Sequence, residues 1–209
     1  MNDKYDEMYD AIERRDWTEA KSLILSGVKE DRSYYDYDDW PLIFQLIEAG
    51  QEDLALLWLD NGYPPLITGG KNQANILHWA AAYGRGRLVQ KALQLGVNID
   101  ENTTHDPSPL WFAANYEHLE IVRLLLGNGA NVDGLDDTHK PAPAWTPQIE
   151  TPLCASAAPE IAEFLLANGA SLEIGPYGGI LSTTGSWGRL SDWMRKPFRP
   201  LRSQPCAVT

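Results

Sequence analysis

The sequence predicts an all-α fold, a solenoid of about five helix-turn-helix repeats joined by short hairpin loops. Three observations predict it. First, the segment from Asn75 to Asp100 returns from Ser108 to Asp133 at a fixed offset of 33 residues, with Leu77/Leu110, Ala80/Ala113, Ala81/Ala114, Tyr83/Tyr116, Val89/Val122, Gly96/Gly129, Asn98/Asn131 and Asp100/Asp133 in register. Second, glycines at 27, 62, 96, 129 and 169 recur at spacings of 35, 34, 33 and 40. Third, apolar residues at helical spacing precede each of those glycines. Self-similarity at such a period belongs to repeat architectures, in which each unit buries its apolar face only by stacking on its neighbours.

Each unit is legible in turn. The first places Ala11, Ile12, Trp17, Ala20, Leu23 and Ile24 ahead of Gly27, and its charged first helix (Asp10, Glu13, Arg14, Arg15) suits a solvent-facing terminal cap. The second holds Pro41-Leu42, Gly50, Leu54, Leu57 and Trp58-Leu59 ahead of Gly62. In the fourth, Ser108 is placed to cap a helix that starts on Pro109, where a missing N–H costs nothing. Ala113 and Ala114 let that helix approach its neighbours closely. Ile121, Val122, Leu125 and Leu126 form the stripe of the following helix, and Gly129 falls where a left-handed C-cap residue is expected. Thr151-Pro152 restarts the pattern in the fifth unit. The units are placed at about 5–35, 36–70, 71–104, 105–138 and 149–176, giving an array over 1–176. A Pro-rich insertion over 134–150 accounts for the 40-residue spacing; its prolines favour an extended loop. Residues 177–209 carry no repeat and read as a C-terminal capping or extended tail.

The chain carries a net charge of −12 over 209 residues, which disfavours nucleic acid and anionic membranes as partners. The charge is segregated. Residues 1–62 hold sixteen acidic and six basic side chains and residues 130–176 hold seven and one, whereas the tail from 177 holds five basic and one acidic. Such segregation suits a basic protein partner, or a basic tail folding back on an acidic body. Cys154 and Cys206 form no CxxC pattern, so a reduced cytoplasmic chain is expected. No stretch reads as a signal peptide or a membrane span.

The motifs Asn75-Ile76-Leu77-His78-Trp79-Ala80-Ala81 and Ser108-Pro109-Leu110-Trp111-Phe112-Ala113-Ala114, with the endings Gly96-Val97-Asn98-Ile99-Asp100 and Gly129-Ala130-Asn131-Val132-Asp133, resemble the ankyrin repeat. The resemblance is close over 75–100 and 108–133 and fair over 151–173. It departs from the family pattern where Trp111 and Cys154 replace the motif histidine and Glu117 replaces the turn glycine. The unit at Thr151 also lacks about three residues between its helices. The resemblance implies that His78 and His118 brace loops and turns rather than act chemically. It also implies that the first helices and hairpin loops, about 29–40, 63–74, 97–107 and 130–150, line a concave face that binds other proteins.

No catalytic constellation, metal-ligand spacing, phosphate loop or dinucleotide fingerprint stands out, so neither enzymatic activity nor a cofactor is expected. Candidate contacts lie where the repeats disagree. Tyr34, Tyr35, Asp36, Tyr37, Asp38 and Asp39 interleave stiff aromatic area with charge in one loop. Tyr83 and Tyr116 occupy the variable positions before the turn, with Trp79 and Phe112 behind them. Trp111, at the motif-histidine position, is expected to be packed, and Cys154 to be a small buried side chain. His105 and Asp106 read most simply as solvated loop residues, but a partner on that face would meet them. Trp145 is a lone tryptophan in the insertion, suited either to a partner or to docking on its own solenoid.

The expectation is therefore a non-catalytic protein-binding module, monomeric when free, that meets a basic partner through an acidic, aromatic concave face. Small acidic proteins of this kind resemble bacterial accessory proteins, among which an immunity or inhibitor protein neutralising a toxin is one form. A secreted effector binding a host protein, a scaffold with several weak partners, and an enzyme with a cryptic site at His139 or Cys206 are the alternatives.

Overall fold

Among the described residues, five helix pairs follow one another along the chain. The computed structural model describes residues 3–29, 41–69, 74–101, 108–134 and 151–171. Helix α1 (Asp3–Glu13) pairs with α2 (Trp17–Leu25), α3 (Leu42–Glu48) with α4 (Glu52–Asp60), and α5 (Ile76–Ala82) with α6 (Gly86–Gln94). Helix α7 (Pro109–Asn115) pairs with α8 (Leu119–Gly127), and α9 (Pro152–Ala155) with α10 (Pro159–Ala167). Two layers result. The first helices α1, α3, α5, α7 and α9 pack in succession as one row, and the second helices α2, α4, α6, α8 and α10 as the other. One short antiparallel hairpin, β1 (Thr68–Gly69) with β2 (Ala74–Asn75), leads into α5, with Thr68 opposite Asn75.

Local chemistry sets the helix ends. Ser108 Oγ accepts the Trp111 N–H and Thr151 Oγ1 accepts the Cys154 N–H, each at 3.3 Å, so both restart signals are true N-caps. Asn75 does the same for α5, accepting from Leu77 at 2.9 Å, while His78 Nδ1 accepts the Asn75 N–H in return. His78 is thus a buried bracing residue. Each second helix ends on a glycine with φ between +78° and +92° (Gly27, Gly62, Gly96, Gly129 and Gly169), a backbone region that a side chain disfavours. The turn inside each of the first four pairs also needs one left-handed residue. Gly50 and Gly84 meet that need, whereas Arg15 and Glu117 adopt φ of +56° and +62° against the steric preference of a side chain. The fifth pair has no such residue. Its first helix is only four residues long and its connection runs extended through Ser156 and Ala158, as the shorter sequence there requires.

The core is one continuous cluster between the two rows, with Ala80, Ala81, Ala113 and Ala114 fully buried where first helices meet. Polar groups join adjacent pairs. Trp58 Nε1 donates to the Val28 carbonyl, and Glu52 Oε1 accepts the N–H groups of Arg87 and Leu88, so a carboxylate from the second pair caps helix α6 of the third. The repeated Asn and Asp residues form a ladder. Asp100 Oδ1 accepts the Asn131 N–H and Asp133 Oδ1 the Ser171 N–H, both at 2.8 Å. Identity at the 33-residue offset therefore specifies stacking of one unit on the next.

Candidate protein-binding surface

Aromatic side chains concentrate on the row of first helices. Helices α5 and α7 each carry an i,i+4 aromatic pair that runs from within the helix to its C-cap, the spacing that brings side chains together on one helical face. Trp79 stacks on Tyr83 with ring centres 5.6 Å apart, and Phe112 on Tyr116 at 6.4 Å; both pairs are inclined by only 10°. Phe44 of α3 stacks on Trp79 at 5.0 Å, and His78 meets Phe112 edge-on at 5.7 Å. The pairs thus extend along the row from one unit to the next.

The structure separates the four candidates that it describes. Tyr83, Phe112 and Tyr116 are half-buried. Trp79 is only 7 % exposed, because Phe44 and Tyr83 cover it, so it is a floor beneath the surface rather than an exposed anchor. Trp111 is packed, as its motif position implies, and lies edge-on to Phe112; among the described residues its indole N–H has no acceptor. Cys154 is half-buried where a buried side chain was expected, because α9 is too short to enclose it. Tyr34, Tyr35, Asp36, Tyr37, Asp38, Asp39, His105, Asp106 and Trp145 lie outside the described residues, as do the tail over 177–209 and the insertion beyond Gly134.

Two charged residues at helix ends belong to the same region: Glu48 ends α3 and Arg85 is the N-cap of α6. Glu48 is the sole charged residue of α3, and it is half-buried. Glu48 and Tyr83 influence each other's ionisation. Burial raises the Glu48 pKa above its ordinary value, and the neighbouring Tyr83 hydroxyl offsets only part of that rise. The Tyr83 phenol is raised as well, chiefly by burial and then by the negative charge of Glu48, with Tyr116 adding and Arg85 opposing. Among the described residues, Glu48 forms no ion pair. Arg85 instead turns its Nε toward the Ile47 carbonyl at 3.4 Å and lies over Gly50. His118 holds the same place one unit later, with Nε2 2.9 Å from the Ala82 carbonyl and its ring against Gly84. The signal for Glu48 was a single charge ending the run Leu42-Ile43-Phe44-Gln45-Leu46-Ile47, which is apolar apart from Gln45.

Acidic charge is unevenly placed on this row. Helix α1 exposes Asp6, Glu7, Asp10 and Glu13, and α3 contributes Glu48, whereas α5, α7 and α9 contain no charged residue. Among the described residues, no group of three or more His, Cys, Asp and Glu could hold a metal ion, and no helix is long and apolar enough to cross a membrane. On the opposite row, Leu119, Arg123, Glu160, Glu163 and Phe164 line an open groove, with the Arg123 guanidinium 4.3 Å from the centre of the Phe164 ring.

A family model described as ankyrin repeats (3 copies) matches residues 42–136 and 77–175, which together span well over half of the chain. The chain belongs to the ankyrin repeat family. Ankyrin repeats are protein–protein interaction modules, and their paired helices account for both rows. Among similar curated proteins, "Ankyrin repeat, SAM and basic leucine zipper domain-containing protein 1" of Ornithorhynchus anatinus is 30% identical over 101 residues, covering 46% of this chain and 20% of that protein. The protein of the same name in Homo sapiens is 40% identical over 52 residues, covering 25% of this chain and 11% of its own length. "E3 ubiquitin-protein ligase hecd-1" of Caenorhabditis elegans is 33% identical over 101 residues, covering 47% of this chain and 4% of the ligase. The chain therefore spans about a fifth or less of these relatives.

Proposed function

We propose that this ankyrin repeat protein is a non-catalytic binding module that takes a basic protein partner on the face of its first helices. The observation that carries the reading is the pair of parallel stacks, Trp79/Tyr83 and Phe112/Tyr116, on a row whose half-buried carboxylate Glu48 forms no ion pair among the described residues. Tyrosines at the rim of such stacks offer rigid contact area with a polar tip, and the rings beneath fix their orientation before a partner arrives. The acidic side chains of α1 lie N-terminal to the stacks along the row, so a complementary partner brings positive charge toward that end and speeds its own association. Within this reading, residues 1–176 form the array and 177–209 a C-terminal capping or extended tail, in a chain that is cytoplasmic and monomeric when free. An immunity or inhibitor role against a basic toxin is the narrower form. The enzymatic alternative rests on His139 and Cys206, both outside the described residues.

The test is comparative capture from the native cell, read by quantitative mass spectrometry. The wild-type chain, a Tyr83→Ala/Tyr116→Ala variant and an Arg87→Ala/Lys91→Ala variant serve as baits, each first shown to be folded. Partners retained by wild type and by the Arg87/Lys91 variant, but lost from the tyrosine variant, support the reading. Equal retention by the tyrosine variant moves the contact off this face.

A further inference from the structure

We infer that the open groove between α8 and α10 is the docking site of the chain's own basic segment 187–196, held there by its apolar side chains and its cations. The groove lies on the second-helix row, so its occupant goes beyond the protein-binding reading above and stands apart from it.

The groove interrupts a pattern. Between α4 and α6 the second helices are laced together: Arg87 pairs with Asp53, Lys91 with Asp60, and Glu52 caps the start of α6. Between α8 and α10 no such cross-helix pair forms among the described residues. Among the described residues lining the groove, Arg123 is the one cation. It lies over the Phe164 ring at 4.3 Å, with Glu120 of its own helix 4.0 Å away, and makes no ion pair with Glu160 or Glu163. Both of those carboxylates are exposed. Where α4 opens on the capping Glu52, α8 opens on Leu119. Leu119 and Phe164 are half-buried and keep part of their apolar surface at the groove. Leu119 and Arg123 stand four apart on α8, and Glu160, Glu163 and Phe164 stand three and four apart on α10, so each wall is a single helical face. The site offers apolar area from both helices and unmatched negative charge from α10.

The sequence supplies an occupant. Trp187, Leu190, Trp193 and Met194 recur at intervals of three and four, the period of one helical face, with Arg189, Arg195 and Lys196 among and after them. All of these lie outside the described residues. Residues 177–209 hold five cations and one carboxylate, whereas α8 and α10 together hold three carboxylates and one cation. The chain also leaves the array at the right place. Ser171, the last described residue, is tied by its N–H to Asp133 of the preceding unit. The chain from there to Trp187 can extend to about 50 Å, and the nine residues of α10 span only about 14 Å. A tethered segment meets the groove at high effective concentration, an advantage that a free basic protein lacks.

Hydrogen exchange of the full chain, read by mass spectrometry on peptides covering 187–196, tests the docking. These amides are expected to exchange at least about tenfold more slowly than in a synthetic peptide of the same segment, as burial of its tryptophans implies. Glu160→Lys with Glu163→Lys should speed their exchange about fivefold, the factor that two exposed ion pairs together supply. Adding Arg195→Glu and Lys196→Glu to that variant should restore protection, because the charges oppose each other again. Phe164→Ala should release the segment by about tenfold through lost apolar contact. Arg87→Ala, at the laced junction, should leave it as in wild type. Peptides covering α6 and α8 report the folding of the array in each variant, and the comparison of wild type with the free peptide needs no variant. Free-peptide exchange of 187–196 in the wild-type chain overturns the docking, as does protection that either the charge reversal or Phe164→Ala leaves unchanged. Protection that falls on dilution, with a sedimentation mass of two chains, gives the groove to a second copy and overturns it as well. None of these outcomes bears on capture through Tyr83 and Tyr116, so the two readings fail separately.

Discussion

The two rows of helices treat their polar and aromatic groups in opposite ways. On the second-helix side, side chains are matched within the molecule: Arg14 with Glu19, Arg87 with Asp53, Lys91 with Asp60, Arg123 over Phe164, and Glu52 capping α6. On the first-helix side, aromatic rings gather in stacks, and the half-buried Glu48 forms no ion pair among the described residues. One sequence period builds both rows, so the difference does not come from the repeat itself. It comes from the positions at which units differ, and the proposed binding on the first-helix row rests on it.

The largest expected effect tests whether the aromatic row is also structural. Trp79 is buried between Phe44 and Tyr83, so Trp79→Ala opens a cavity in the first-helix row and should cost about 3–5 kcal/mol, read as a shift in urea midpoint. Leu166, on α10 of the opposite row, is 42% exposed, and Leu166→Ala should cost less than about 1 kcal/mol, since little apolar area leaves the core. Equal losses would mean that the two rows contribute alike and that the stacks owe nothing to their place.

The turns joining the rows supply the next test, with opposite signs one unit apart. A Cβ on Gly84 would lie 2.9 Å from the His118 ring in a backbone of φ +67°, so Gly84→Ala should destabilise by about 2 kcal/mol from strain and crowding together. Glu117 occupies the equivalent turn with φ +62°, and Glu117→Gly should stabilise by about 0.5–1 kcal/mol, the relief of strain exceeding the added chain entropy. Thermal unfolding of both variants decides it. If the two changes share a sign, the turns are not equivalent and the rows do not meet in the same way in consecutive units.

The legible part of this molecule is what each residue does inside its own unit. Ser108 and Thr151 as caps, the closing glycines, the packed Trp111 and the bracing His78 all followed from position in the repeat. What stayed hidden depends on the unit next door. Trp79 looked like an exposed anchor because its own helix offers only Tyr83 to cover one face; Phe44, 35 positions earlier, covers it as well. Glu48 gained its role from Tyr83 in the following unit, and Arg85 reaches back to Ile47 and Gly50 in the preceding one. Periodicity gives a residue's address along the stack, but not the partner that a variable neighbour presents.

A smaller effect probes the uncompensated carboxylate. Because burial raises the Glu48 pKa in the folded chain, the native state binds that proton more tightly than the unfolded one. Such a group opposes folding above its folded pKa, and the lost stability returns as pH falls through that raised value toward 4.5. Glu48→Gln removes the titration. The stability of wild type relative to this variant should therefore rise on acidification from neutral pH, then level off near the ordinary carboxylate range. A difference that stays flat, or falls, would place a cation beside Glu48 in the free chain and return this row to the matched condition of the other.

The smallest effect is the most exposed to refutation. The Arg87–Asp53 and Lys91–Asp60 pairs join α4 to α6, and three of their four side chains are more than half exposed. Water screens such pairs, and ordering their long side chains offsets most of the attraction. Arg87→Ala and Lys91→Ala should each change stability by no more than about 0.5 kcal/mol, and the change should shrink further in high salt. Partner capture should be untouched. The Glu52 cap on α6 survives Arg87→Ala, because Glu52 accepts from the Arg87 backbone and from Leu88 rather than from the guanidinium. A loss of capture with retained stability would show that these exposed cations touch the partner directly. The second-helix row would then be a binding face, and internal matching of charge would no longer distinguish the two sides of the molecule.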